Sequence, residues 1–203
     1  MDRAADRYRY VLERPIMMEP GKRWTYCGGA TALLGRIIVK GAGKSLNDYA
    51  REVLFDPLGM GPIEWYTGRD GEPIAASGMR MSTRDLGKVG ELMLRGGAWN
   101  ENSVVPAEWI ARCTTPMVQI DDARDYGYHW YLGRVGFETS AAPPESRSWL
   151  EPYWSAAGNG GQRLIILPGL DLVVVTMFGN YDKPDQWVPP LRLLREVVLP
   201  AIL

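Results

Sequence analysis

Apolar residues recur at helical spacing through the first half of the chain. Leu33, Leu34, Ile37 and Ile38 lie three or four positions apart along one face and predict a helix over residues 30–40. Three further helices are predicted from residues that favour helix N-termini, namely Ser45, Ser82 or Thr83, and Pro106. The first half of the chain is therefore predicted to be mainly helical.

The pattern in the second half of the chain is that of β-strands. Residues 126–133 are rich in aromatic side chains and predict a strand, while residues 163–167 and 172–178 are aliphatic runs joined by a short turn. With a strand over about 153–158, the two aliphatic runs are expected to form three antiparallel strands, backed by an amphipathic helix at 190–198. Helices followed by antiparallel strands and a closing helix predict an α+β fold.

The composition is that of an average folded protein and excludes several classes of function. The 203 residues are 46% hydrophobic and 23% charged, enough to bury a sizeable core. Because the net charge is -1, no nucleic-acid partner is expected. The apolar runs are too short to span a bilayer, and the N-terminus lacks the apolar core of a signal peptide. We therefore expect no membrane span, and a cytoplasmic protein if the chain is complete.

Few residues of the chain suit a metal or a cofactor. The single histidine, His129, and two cysteines are too few for a protein-built metal site, so no metal is expected. With no secretory signal, Cys27 and Cys113 are expected to be reduced thiols. The glycine-rich residues 158–162 precede a strand instead of the helix that a phosphate loop needs, so no nucleotide cofactor is expected. These glycines are expected to form a β-hairpin corner or to let a substrate backbone approach closely.

A thiol offers one candidate catalytic arrangement. Cys27 lies just before the first strongly predicted helix, and a thiol near a helix N-terminus can have a lowered pKa and act as a nucleophile. His129 would be its base, with Asp125 or Asn159 orienting the imidazole. In the competing interpretation, Cys27 is a small buried side chain.

Short motifs follow one another in order through nearly the whole chain. Residues 20–28 read Pro-Gly-Lys-Arg-Trp-Thr-Tyr-Cys-Gly. Further motifs lie at residues 54–60, 76–86, 104–109 and 126–130, followed by the Gly-Gly-Gln strand pair. This ordered series resembles the serine β-lactamase-related family, which includes class C β-lactamases, DD-peptidases and family VIII carboxylesterases. The first motif is similar to the family segment Pro-Gly-x-x-Trp-x-Tyr-Ser-Asn. The resemblance implies part of a β-lactamase/penicillin-binding-protein-like fold.

The resemblance also implies an acyl-enzyme mechanism on a small ester, amide or β-lactam-like substrate. In the family, Ser-x-x-Lys supplies the nucleophile and its activating amine, and two backbone N–H groups form an oxyanion hole. Tyr26 matches the tyrosine that assists proton transfer, whereas Gly28 stands where an asparagine contacts the substrate. Gly158 matches the glycine of the Lys/His-x-Gly strand motif, with Ala156 in place of the cation. The N–H of Asn159 would then be the oxyanion donor of that strand.

The nucleophile motif of the family is absent from these residues. None of the five lysines has a serine three positions before it. Ser77 and Arg80 imitate the spacing, but an arginine stays protonated and cannot act as a base. Residues 1–203 are therefore expected to be the C-terminal portion of such a hydrolase, inactive alone and prone to self-association through the surface left by the missing half. The alternative is a complete, non-catalytic binding or assembly module that uses the inherited cleft.

The position of the motif tyrosine is a further expectation. Tyr26 is expected to point toward the strand that holds Gly158 and Asn159, with Cys27 turned into the helical layer. In the alternative, the ring of Tyr26 packs in the core and its hydroxyl finds a partner there.

Overall fold

The chain folds into two units, Met1–Asp85 and Leu86–Leu203. The computed structural model describes residues 4–138 and 148–202. Helices predominate in the first unit and antiparallel strands in the second, which confirms the predicted α+β class.

The first unit begins with three helices. Its elements are α1 (Arg7–Leu12), α2 (Gly28–Ala42), α3 (Leu46–Ala50) with a π-helical continuation (Arg51–Phe55), β1 (Glu64–Trp65) and β2 (Met79–Arg80). Gly43, with a φ of 66°, ends α2 in the left-handed conformation that favours glycine. The side chain of Ser45 accepts a hydrogen bond from the N–H of Asp48 and caps α3, as its sequence predicts.

Three of the large aliphatic side chains of α2 lie on the surface. Leu34 and Ile37 are 47% and 64% exposed, and Ile38 is also exposed. Gly35 instead packs inward, so closely that a Cβ there would lie 2.6 Å from the Cβ of Ala75. The apolar spacing thus predicted the helix correctly, but a close glycine–alanine contact occupies its buried face within this unit.

The second unit is an antiparallel sheet with helices on both faces. Its helices are α4 (Thr83–Leu94, most of it in this unit), α5 (Ala107–Cys113), α6 (Val188–Leu193), a π-helical turn (Leu194–Val198) and α7 (Leu199–Ile202). The short strands β3 (Ala98–Trp99) and β4 (Asn102–Ser103) form a separate hairpin. The sheet strands are β5 (Val118–Asp121), β6 (Arg124–Gly127), β7 (Trp130–Glu138), β8 (Ser148–Gly158), β9 (Gln162–Leu167) and β10 (Leu172–Thr176). Within the described residues, these six strands pair with their sequence neighbours in the order β10-β9-β8-β7-β6-β5.

Strand β9 forms the centre of the hydrophobic core because both of its faces are buried. On one face, the cluster with the C-terminal helices consists of Val135, Ile165, Leu167, Leu194 and Leu199. On the other face, the cluster with α4 and α5 consists of Met93, Ile110, Cys113, Leu164 and Ile166. A strand covered on both faces is a continuous apolar run in sequence, which explains why this strand could be predicted.

One predicted strand is wrong. Residues 126–133 form the facing ends of β6 and β7, which pair antiparallel with Gly127 opposite Trp130. Tyr128 and His129 make the reversal between them, with φ of 34° and 74°. Two left-handed residues suit the twist of a two-residue hairpin. Tyrosine and histidine are not the residues that usually mark such a turn, so the turn could not be predicted from the sequence.

The other predicted elements of this unit are confirmed with adjusted ends. Strands β8, β9 and β10 contain the expected antiparallel set, and the last of them ends at Thr176 instead of residue 178. The closing helical segment is longer than predicted, because α6, the π-helical turn and α7 follow one another without a break. In the part of the chain that the structure describes, we find no helix whose length and apolar character would suit a membrane crossing.

Candidate active site

Tyr26 lies on the surface of the first unit, just before α2. Its side chain is 66% exposed, so the alternative in which its ring packs in the core is wrong. The hydroxyl makes no hydrogen bond to another described residue, which leaves it available to a substrate. The direction of Tyr26 toward the strand of Gly158 and Asn159 stays a prediction.

Cys27 caps the N-terminus of α2. Its backbone is extended, with a φ of -139°, and its sulfur accepts a hydrogen bond from the N–H of Ala30 at 3.4 Å. Cys27 is exposed, so the expectation that it turns into the helical layer is wrong, as is the interpretation of a buried side chain. The physical reason is that α2 begins at Gly28, which places residue 27 at the cap, where a side chain bonds the free N–H groups of the first turn.

Gly28 is the first residue of α2. A Cβ at this position would lie 3.5 Å from the Cβ of Ala76, an ordinary van der Waals distance. The first unit therefore has room for the Cβ of the asparagine that the family motif carries here.

The second cysteine, Cys113, and the proposed base of the thiol hypothesis, His129, lie in the second unit. Cys113 is buried in α5, and burial raises the pKa of its thiol, which favours the unreactive protonated form. His129 is on the β6–β7 turn, with its Nδ1 3.4 Å from the hydroxyl oxygen of Tyr126. The pairing of Cys27 with His129 stays a prediction.

Gly158 ends β8, and Asn159 begins the turn into β9. Gly158 is opposite Gln162, and Gly160 and Gly161 complete the reversal with φ of 88° and 85°. These conformations favour glycine, so the β-hairpin interpretation of residues 158–162 is confirmed. A strand follows the glycines, as the sequence predicts.

The polar groups of this turn bond to the segment that follows β10. The side-chain Nδ2 of Asn159 donates to Oδ1 of Asp182 at 2.8 Å, and the backbone N–H of Asp182 donates to Oδ1 of Asn159 at 3.1 Å. The N–H of Gly160 donates to Oε1 of Gln186. The backbone N–H of Asn159 differs from these groups, because it makes no hydrogen bond to another described residue. A free N–H at the end of a rigid strand is the kind of donor that an oxyanion hole uses.

A buried arginine lies near this hairpin, on the sheet face that carries the C-terminal helices. Arg163 donates to the hydroxyl of Ser155 at 3.4 Å, and its guanidinium carbon is 5.1 Å from the ring centre of Trp187. Burial lowers the pKa of Arg163 and raises the pKa of Tyr153. The contact with Trp187 joins the end of the segment after β10 to β9.

No pattern in the sequence points to Asp182 and Gln186. Both lie in an irregular segment with no periodic pattern, more than twenty residues after the turn that they contact. Only the pairing of β8, β9 and β10 brings them to it. Among the described residues, there is also no group of three histidine, cysteine or acidic side chains that would hold a metal ion.

Comparison with known proteins places these features in a family. The model of the beta-lactamase family matches residues 1–197, which includes Tyr26, Gly28, Gly158 and Asn159. The chain belongs to the beta-lactamase family. The match extends over both units and confirms the resemblance that the sequence motifs carry.

The relatives and solved structures that resemble this chain are distant in sequence. An uncharacterized protein from Alkalihalophilus pseudofirmus is 24% identical over 90% of this chain and 60% of its own length. A structure from Bacillus anthracis described as a 6-aminohexanoate-dimer hydrolase is 21% identical, with a TM-score of 0.76 over 95% of this chain and 47% of its own. A class C beta-lactamase from Rhodobacter sphaeroides is 19% identical, with a TM-score of 0.64 over 92% of this chain and 63% of its own. The chain thus has the beta-lactamase fold and spans 47% to 63% of the length of these relatives.

Proposed function

We propose that this chain is the C-terminal portion of a serine hydrolase of the beta-lactamase family that acts on an ester, amide or β-lactam-like substrate. The observation that carries the proposal is the free backbone N–H of Asn159, a residue that the sequence resemblance aligns with the oxyanion donor of the family. The exposed hydroxyl of Tyr26 supports the same function, because a group that transfers a proton must reach the substrate.

In the proposed mechanism, a serine hydroxyl attacks the carbonyl carbon of the substrate and negative charge develops on the carbonyl oxygen. The N–H of Asn159 donates a hydrogen bond to that oxygen, and Gly158 lets the substrate lie close to the strand. When the intermediate collapses, the bond to the leaving group breaks, and Tyr26 assists the transfer of a proton to that group. Water then hydrolyses the acyl-enzyme. Because Gly28 replaces the family asparagine, this enzyme would bind the substrate amide without that contact.

We propose that the nucleophile and its lysine come from residues outside these 203. No lysine here has the required serine before it, and the chain spans about half to two thirds of the length of its relatives. The exposed stripe of α2, formed by Leu34, Ile37 and Ile38, supports this proposal because such a stripe normally packs against another element. We propose that the nucleophile-bearing part of the domain covers it.

The isolated chain is expected to form no acyl adduct on serine, whereas the longer protein should form one. The DNA upstream of the codon for Met1 is read first, and the longest in-frame protein is then expressed beside the 203-residue chain. Both are incubated with a fluorophosphonate probe, nitrocefin and a short-chain p-nitrophenyl ester. Intact mass and product absorbance are measured. The serine of the upstream Ser-x-x-Lys, changed to alanine, is the control.

Three results would contradict parts of this proposal. An adduct on a serine of the isolated chain, lost when that serine becomes alanine, would reveal a nucleophile inside these residues. Labelling of Cys27 would support the thiol alternative. An upstream sequence with no Ser-x-x-Lys would favour the non-catalytic binding or assembly module.

The uncovered stripe of α2 is expected to make the isolated chain self-associate. The variant Ile37→Glu should shift the chain toward monomer and reduce its binding of a hydrophobic dye, because it places a charge in the apolar stripe. Val197→Glu is the matched control, since Val197 is similarly exposed in the second unit. Light scattering over a range of concentrations measures the change. A wild-type chain that stays monomeric at high concentration and binds no dye would show that the stripe does not drive association.

A further inference from the structure

We propose that Asp182 is a positioning residue for the Asn159 N–H. The inference rests on the proposed function, because only there does that N–H act as an oxyanion donor. Asp182 would hold the turn after β8 so that this donor stays free and aimed at the substrate, while the N–H of Gly160 is bonded to Gln186.

The contact between Asn159 and Asp182 is made in both directions. One hydrogen bond runs from the side chain of Asn159 to the carboxylate, and the other runs from the backbone of Asp182 to the side chain of Asn159. Two bonds that close a ring restrain the orientation of both residues more than a single bond does. Because the side chain of Asn159 is held in this way, rotation of the peptide group that carries its N–H is also restricted.

The turn has little rigidity of its own. Gly160 and Gly161 follow Asn159 directly, and glycine is the residue with the greatest conformational freedom. External contacts must therefore hold the turn. Asp182 is exposed and lies 23 residues after Asn159 in the sequence. Burial of apolar surface therefore does not explain its contact with the turn.

The segment that carries Asp182 is itself anchored at both ends. Near its start, the carbonyl oxygen of Phe178 accepts a hydrogen bond from the side-chain Nε2 of Gln162. Near its end, Gln186 accepts from the N–H of Gly160, and Trp187 lies over the guanidinium of Arg163. A segment fixed on both sides of Asp182 can transmit its rigidity to Asn159.

The backbone conformation of Asp182 allows variants that change its side chain and keep its backbone in place. Its φ is 58°, a left-handed conformation that aspartate, asparagine and glycine adopt more readily than other residues. Asp182→Asn keeps this conformation and an acceptor oxygen. Asp182→Gly keeps the conformation and removes the acceptor. Asp185→Ala, in the same exposed segment, is the control.

The first measurement uses the isolated chain and is independent of catalysis. With ¹⁵N-labelled asparagine, the order parameter of the Asn159 N–H is expected to be near the rigid value of about 0.85 in the wild type and in Asp182→Asn. In Asp182→Gly it is expected to fall toward about 0.6. Circular dichroism checks that each variant is folded. An unchanged order parameter in Asp182→Gly would overturn the inference, whether or not the longer protein is a hydrolase.

The second measurement uses the longer protein. Asp182→Gly is expected to lower kcat about tenfold with little change in KM, a part of the roughly 10²- to 10³-fold cost of losing an oxyanion donor. Asp182→Asn should retain most of the activity of the wild type, because it keeps an acceptor oxygen. A loss of order at Asn159 with unchanged kcat would also overturn the inference, because Asp182 would then hold the turn without serving the reaction.

Discussion

Replacing Tyr26 by phenylalanine is expected to lower kcat of the longer hydrolase by about 10²- to 10⁴-fold, the usual contribution of a positioned group that transfers a proton. The substitution removes one oxygen atom and keeps the ring. Because the side chain is largely exposed and its hydroxyl bonds to no other described residue, the stability of the protein should not change.

Steady-state kinetics with the best substrate of the longer protein measure the effect. Tyr10→Phe is the matched control, since Tyr10 is also an exposed tyrosine of the first unit but lies outside the family motif. Its kcat should equal that of the wild type. If Tyr26→Phe retained kcat within about twofold, well below the usual contribution of proton transfer, the proposed role of Tyr26 would be excluded.

Replacing Ile166 by alanine is expected to destabilise the second unit by about 2–5 kcal/mol. Ile166 is fully buried at the centre of β9, in the cluster with Met93, Ile110 and Leu164. The side chains around it come from strands and helices on several sides, so they cannot all move to fill the space that the removed atoms leave. The cost therefore includes a cavity as well as lost hydrophobic burial.

Chemical denaturation followed by circular dichroism measures this difference. Leu150→Ala is the matched control, because Leu150 is 58% exposed on β8, and its loss should change the free energy of unfolding by no more than about 0.5 kcal/mol. Equal effects of the two substitutions would contradict the assignment of β9 to the centre of the core.

The features that could be predicted from sequence depend on residues close together in the chain. Ser45 accepts from an N–H three residues later, so its cap is visible in a short segment. The continuous aliphatic run of β9 indicates that both faces of this strand are buried. The short turn before β10 indicates that the two strands pair antiparallel. The family motif around Tyr26 is also local. Such signals predicted the class of the fold and most of its elements.

Other features arise only when distant parts of the chain meet. The contact of Gly35 with Ala75 lies on the buried face of α2, so Leu34, Ile37 and Ile38 lie outside despite their helical spacing. The turn at Tyr128 and His129 is imposed by the pairing of β6 with β7, because neither residue has a strong turn preference.

For the candidate site, the sequence by itself determined which residues match the family motif, and the tertiary structure decided how they are held. Gly158 and Asn159 could be assigned from their place in a short glycine-rich motif. The free N–H of Asn159 and the bonds to Asp182 could not, because those residues lie 23 positions apart and meet only across the folded sheet. Hydrogen bonds between irregular segments leave no periodic pattern in the sequence, since their geometry depends on strand register and not on local preference.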